Sequence, residues 1–132
     1  MIVDTSALIA IQQREPGHER LIDALIESRD SRIAAPTLVE LCVVMTRRRG
    51  AQETDVRATL DEFGIRVAEF TPAQAWAAGE AYRRYGPDSG SKARLNLGDC
   101  FSYALASLSG EALLFVGNDF SATDVRPAIA PR

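Results

Sequence analysis

Cysteine, histidine and lysine are scarce in this 132-residue chain, and each scarcity removes a class of function. Two cysteines cannot make a disulfide-stapled scaffold. Cys42 in LVELCVVM and Cys100 in GDCFSYA instead read as buried thiols, because free cysteine packs as a small hydrophobe. The lone histidine, His18 in the polar EPGHER segment, rules out the usual Cys/His zinc centre and leaves any histidine-based triad hanging on one residue. No apolar run approaches the ~20 residues that span a bilayer. The N-terminus lacks the basic stretch of a secretory signal and places Asp4 too early for one, so a cytoplasmic location is expected. Positive charge is short as well: the formal net charge is −3 at pH 7, whereas nucleic-acid-binding domains are usually basic. Repeats, low-complexity tracts and linkers are also missing, so a single domain over residues 1–132 is expected, large enough to bury a core unaided.

What is present is an alternation of short apolar runs with helical patterns. A strand is expected at 1–4, helices at about 6–12 and 17–29, and a strand at 32–35. Pro36 is suited to the start of a helix reaching about Arg48, with Gly50 ending it. A helix over about 53–63 leads through Gly64 to the strand IRVAEF, and Thr71-Pro72 reads as an N-cap and first turn of a helix to about Tyr85. The loop GPDSGSKARLN precedes a helix over about 98–108; ALLFVG and RPAIA read as the last strands. Strands that are apolar throughout, separated by helices, predict an α/β domain with a central four- to five-stranded parallel sheet flanked by helices on both faces.

Four acids sit where apolar neighbours make them conspicuous. Asp4 follows the first strand in MIVDTSALIAI; it can cap the next helix, or stand at the carboxyl edge of the sheet where such folds place ligands. Glu40 interrupts the apolar series Leu38, Val39, Leu41, Cys42, Val43, Val44 and Met45, which predicts a helix buried on most sides. A carboxylate there needs a basic partner, a proton, a metal ion or a solvent-facing stripe. Asp99 is the only acid in LNLGDCFSYALASL and can act as an N-cap after Gly98; Asp119 follows ALLFVGN, as a turn residue or as a second strand-end carboxylate. A parallel sheet brings these strand ends to one edge, where crowded carboxylates raise one another's pKa values unless a cation neutralises them. Mg²⁺ or Mn²⁺ is the natural cation for an oxygen-only set, and one ion, or two about 4 Å apart, suits phosphoryl chemistry.

VDTSAL with Asp4, APTLVEL with Glu40, LGDCFSYALA with Asp99 and LLFVGNDF with Asp119 together resemble the PIN-domain nucleases, with the closest likeness to the VapC-type toxin ribonucleases of VapBC toxin–antitoxin modules. The likeness runs from Met1 to about Asp124, with the acids in family order. It implies a PIN-like fold, Mg²⁺- or Mn²⁺-dependent endoribonuclease activity, RNA as substrate and a small antitoxin that blocks the active site. By the same resemblance Asp4 and Asp99 are the metal ligands, Glu40 orients the water or shares the ion, Asp119 completes the acidic shell, and Thr5 or Ser6 is the hydroxyl beside the first aspartate. Many relatives carry two acids in the last motif and this chain has one, which bears on a second metal position.

An acidic pocket repels RNA, so basic residues at its rim are expected to guide the backbone: Arg47 and Arg48 in the RRR run, or Lys92 and Arg94 in the loop before Asp99. The resemblance and the apolar surplus together lead to the expectation of a homodimer. An antitoxin helix is expected in a groove formed by Leu8, Ile11, Leu21 and Leu25 with Leu41 and Met45. Two other classes fit less well. A receiver or phosphatase with a phosphorylated strand-end Asp would need a second Asp two residues on, where this chain has Ser6, or a late lysine, and Lys92 is the only one. A non-catalytic PIN-like binding module has no use for all four acids.

Overall fold

The computed structural model describes residues 1–130. In chain order it contains β1 (Ile2–Val3), α1 (Thr5–Gln12), α2 (His18–Glu27), β2 (Ser31–Ala34), α3 (Ala35–Arg49), α4 (Glu53–Glu62), β3 (Ile65–Ala68), α5 (Pro72–Tyr85), α6 (Leu97–Ser109) and β4 (Leu113–Leu114). The strands pair in the order β3-β2-β1-β4, every pair parallel, with Ile2 of β1 beside both Arg32 and Leu113. Successive side chains of a strand point to opposite faces, and here each face meets helices. Ile2 and Leu113 pack with Leu105 and Phe120 in one core; Val3 and Leu114 pack with Leu8, Leu25, Ile33 and Leu41 in the other. That two-sided burial is why β1 and β4 are apolar without alternation, whereas β3, at the sheet edge, leaves Arg66 and Val67 exposed.

Local signals set the helix ends. Thr71 caps α5, its hydroxyl accepting from the Gln74 N–H at 3.2 Å, with Pro72 as the first helical residue, where a missing N–H costs nothing. Gly110 ends α6 at φ 67°, a left-handed conformation that a side chain would strain. No helix among the described residues is long and apolar enough to cross a membrane.

The structure corrects five expectations. ALLFVG contributes only Leu113–Leu114 to the sheet, and RPAIA adds no fifth strand: Pro127 makes a single parallel bridge to Leu113, flanked by Leu113 N–H to Arg126 O at 2.9 Å and Ala128 N–H to Leu113 O at 2.8 Å. Pro127 has no N–H to extend a ladder. IRVAEF pairs only as far as Ala68, after which Glu69 and Phe70 turn towards α5. Helix α3 is not buried on most sides; Thr37, Leu41 and Met45 are buried, whereas Val39 and Val43 are 63% and 49% exposed. Finally, Leu8, Leu21, Leu25, Leu41 and Met45 are core residues at 5% exposure or less, so they offer a groove little surface, and of the expected set only Ile11 is partly exposed.

Candidate active site

Parallel strands deliver their carboxyl ends to one edge, and the acids collect there. Asp4 follows β1 directly; its backbone N–H still donates to Leu114 O at 3.0 Å, extending the β1–β4 pairing by one residue. It is also the N-cap of α1, with Oδ2 accepting from the Ser6 N–H at 3.0 Å. Its other oxygen, Oδ1, accepts from the Ser102 hydroxyl at 2.6 Å. Both bonds are made while Asp4 is 3% exposed. Each carboxylate oxygen has room for about two donors, so the fixed group keeps one lone-pair direction free on each oxygen.

A buried hydroxyl chain supports this arrangement. Because Ser102 gives its proton to Asp4, it accepts from Thr37 Oγ1 at 3.3 Å. The Thr5 hydroxyl donates to Thr37 O at 3.3 Å. Ser6 turns its hydroxyl towards the next strand end and accepts from the Val116 N–H at 3.0 Å. The two hydroxyls beside Asp4 therefore tie α1 to α3 and to the exit of β4.

Asp99 is the third residue of α6 rather than its N-cap. Asn96 is the cap, and the two close a reciprocal box: Asp99 N–H to Asn96 Oδ1 at 2.9 Å, Asn96 N–H to Asp99 Oδ2 at 3.0 Å. Burial pushes the Asp99 carboxyl up to about 7; the Asn96 bond opposes that shift, and the charges of Asp4, Asp119 and Glu40 add to it. Three acids thus bear on the fourth. Glu40, one turn into α3, is also raised, first by burial, with the nearby Thr5 hydroxyl opposing the rise and Asp4 adding to it. Its carboxylate lies on the first turn of α6: a Cβ placed on Gly98 would stand 1.9 Å from Glu40 Oε2. Glycine at that position is what lets Glu40 come alongside Asp99. Asp119 is exposed at the rim beyond β4.

Asp124, the next acid along, does not supply the second carboxylate of the last motif. It accepts from the Tyr103 hydroxyl and lies 3.9 Å from the Arg84 guanidinium.

The donor set suits a hard divalent cation, being oxygen-only with a central carboxyl that burial and neighbouring charge disfavour as an anion. Among the described residues, no three Asp, Glu, His or Cys side chains stand close enough to ligate one ion as placed. Mg²⁺ asks for less, usually one or two carboxylates with waters and substrate phosphates completing the shell. Asp99 has a free oxygen, and Asp4 a free lone pair on each of its oxygens, for that role.

The basic candidates separate. Lys92 and Arg94 are exposed on the segment leading into α6, alternating with buried Ala93 and Leu95, so the loop is anchored beside Asp99 while its cations face outward. Arg94 holds a left-handed backbone at φ 54°, uncommon for a residue with a side chain. Arg47 and Arg48 are exposed in the last turn of α3, and neighbouring Arg49 donates to Gln12 O, the end of α1, at 3.2 Å. Asp4 and Glu40 lie near the other ends of those helices. Seven residues of rise put Arg47 about 10 Å along the axis from Glu40.

Asn96, Gly98, Ser102 and Thr37 did not stand out in the sequence. An Asn three residues before an Asp is a capping-box spacing, and Ser102 is one turn beyond Asp99 on the same helix face. Gly98 and Thr37 carry no such signal, since their neighbours come from other elements.

The family model of the PIN domain matches residues 1–126. The chain is 53% identical over 129 residues to ribonuclease VapC42 of Mycobacterium tuberculosis (strain ATCC 25618 / H37Rv), covering 97% of this chain and 98% of that protein. It is 42% identical over 127 residues to ribonuclease VapC36 of the same strain, covering 95% and 91%. In fold it resembles the crystal structure of Mycobacterium tuberculosis VapC20, described as a sarcin–ricin loop cleaving toxin, at TM-score 0.69 and 23% identity over 96% of this chain and 98% of that one. It likewise resembles a toxin–antitoxin complex from Klebsiella pneumoniae at TM-score 0.70 and 19% identity, covering 93% and 92%.

Proposed function

The chain belongs to the PIN-domain family, and from that premise we propose that it is the ribonuclease toxin of a toxin–antitoxin pair, hydrolysing RNA phosphodiester bonds with Mg²⁺ or Mn²⁺ at the four-carboxylate edge. The observation that carries the reading is the meeting of three acids on α6: Ser102 of that helix holds Asp4, and Glu40 lies against Gly98 beside Asp99. The relatives' names carry the choice of RNA as substrate.

Asp4 and Asp99 would hold the ion, which when bound offsets charge on the phosphate oxygens and lowers the pKa of water. Asp4 reaches that role pre-oriented, because Ser6 and Ser102 occupy one lone pair on each of its oxygens. Glu40, with raised proton affinity, orients the attacking water from the α6 side, and Asp119 closes the rim. Lys92 and Arg94 attract the RNA backbone beside Asp99. An antitoxin would block this edge with a cation, an arginine fork being the best match to paired carboxylates. A second copy of the chain would cover apolar surface such as Val39 and Val43.

Asp4→Asn and Asp99→Asn should each abolish Mg²⁺- or Mn²⁺-dependent cleavage of RNA. Asp99→Asn should leave thermal stability unchanged or raised through relief of like-charge repulsion, while Asp4→Asn gives up one of the two bonds its oxygens accept but stays folded. Parental cleavage by either variant would refute the assignment, and RNA binding without cleavage by the parent would favour the binding module.

A further inference from the structure

A cavity of about 470 Å³ opens beside the acidic edge, and none of the functions assigned above uses it. One wall is the exit of β4, with Phe115, Val116, Gly117 and Asn118; the facing wall is the α1–α2 corner with Arg20. Two links join it to the acids. Asn118 immediately precedes Asp119, and the Val116 N–H is bonded to Ser6, two residues after Asp4.

The lining is mainly apolar with a few polar groups of both kinds. Arg20 is held in place by a bond from Nη2 to Ala130 O at 3.2 Å, and Asn118 offers both a donor and an acceptor. Phe115 is half-buried, its ring tilted 54° against buried Phe120 at 5.1 Å between centroids. Gly117, at φ 100°, leaves open space where a Cβ would point. Arg20 and Glu15 both line the cavity, so their charges offset one another and the site does not favour an ion. Apolar walls with sparse hydrogen-bonding groups, in a volume within the ~300–1,000 Å³ of small-ligand sites, suit a flat, neutral, hydrogen-bonding ring.

The geometry points to a nucleobase pocket: a base adjoining the scissile phosphate leaves the RNA stack and enters this cavity, where Asn118 and Arg20 read its edge. This rests on the ribonuclease reading. Single-stranded RNA is commonly recognised through splayed bases held on aromatic and hydrogen-bonding side chains.

The test uses short RNAs carrying 2-aminopurine at successive positions around the cut, bound to the Asp99→Asn chain, with the parent chain assayed for cleavage of matching RNAs lacking one base. At one position the probe's fluorescence should change on binding, and removing that base should lower kcat/KM about tenfold, mostly through KM. Ser121→Trp, a bulky change at an exposed residue lining the cavity, and Asn118→Ala should both remove the fluorescence change and the base dependence while the chain still melts cooperatively. Cleavage that ignores every missing base, or a fluorescence change that survives Ser121→Trp, overturns the pocket and leaves the nuclease reading standing. A parent chain that neither binds nor cuts any of the RNAs overturns both.

Discussion

Gly98→Ala separates the chemistry of the acidic edge from the stability of the fold. The added Cβ would stand 1.9 Å from Glu40 Oε2, 2.8 Å from Glu40 Cδ and 3.3 Å from Asn96 Oδ1. The atoms that must give way first are the tip of a flexible side chain, so Glu40 retreats by about 1.5 Å to ordinary contact while the backbone stays. In a helix, Gly→Ala is worth roughly 0.5–1 kcal/mol in favour of the variant. That gain opposes the cost of re-seating one half-buried carboxylate, so the melting midpoint should stay within a few degrees of the parent. Activity should not be spared, because a displacement of about 1 Å at a reacting centre can cost roughly 10²-fold. Thermal denaturation and cleavage of a fluorogenic RNA under Mg²⁺ or Mn²⁺ measure the two quantities on one preparation. The double variant Gly98→Ala/Glu40→Gln should lose little more than either single change, since both disable the same group. A Gly98→Ala chain with parental activity refutes the placement of Glu40. One that melts far below the parent shows that the backbone yields instead.

Three other outcomes follow from the same geometry. Asp99 is protonated in both folded and unfolded chains below about pH 4, and its folded pKa is about 7, so the stability it contributes is present at low pH and lost as pH rises through about 7. Without divalent ions the melting midpoint of the parent should fall relative to Asp99→Asn between pH 5 and pH 8, and Mg²⁺ at pH 8 should restore it; parallel curves for the two chains would contradict this. Ser102→Ala should weaken Mn²⁺ binding about 10- to 100-fold, as loss of a group orienting a ligand typically does, but have no further effect in an Asp4→Asn background; calorimetric titration decides. Replacing both Lys92 and Arg94 with Ala should reduce the salt dependence of RNA binding by roughly 0.7 in log–log slope per lost phosphate contact, and the Arg47/Arg48 pair should leave it unchanged; equal effects would return the arginine run to the site.

The fold was legible because burial on two sides leaves a pattern in composition: apolar strands between capped helices can lie only in a parallel sheet with two cores. The ends of strands were less so. RPAIA shows Pro127, whose missing N–H limits pairing to a bridge, but nothing in ALLFVG reports that only Leu113 and Leu114 join the sheet. Helix α3 misled for a different reason. Val39 and Val43 look like core by hydropathy, yet the helix buries Thr37, Leu41 and Met45, with Leu38 and Cys42 partly covered beside them, and periodicity cannot tell a covered face from one left open.

The acids were conspicuous one by one, as charges out of keeping with their neighbours, but their support was not. Ser102 and Thr37 pass for ordinary small helix residues until α3 and α6 pack side by side and put their hydroxyls 3.3 Å apart. Asp4 shows why the reading of a single stretch stays divided. Cap and functional carboxylate are not alternatives there. The cap uses Oδ2 through Ser6, Ser102 takes Oδ1, and together they stop the group rotating without exhausting its lone pairs. A helix that starts at a strand end needs a capping oxygen; a carboxylate serves as well as a hydroxyl, and adds charge. Local folding thus asks for a residue at this position that the proposed chemistry also needs. Only the contact from α6, ninety-eight residues along the chain, distinguishes this Asp from a cap and nothing more.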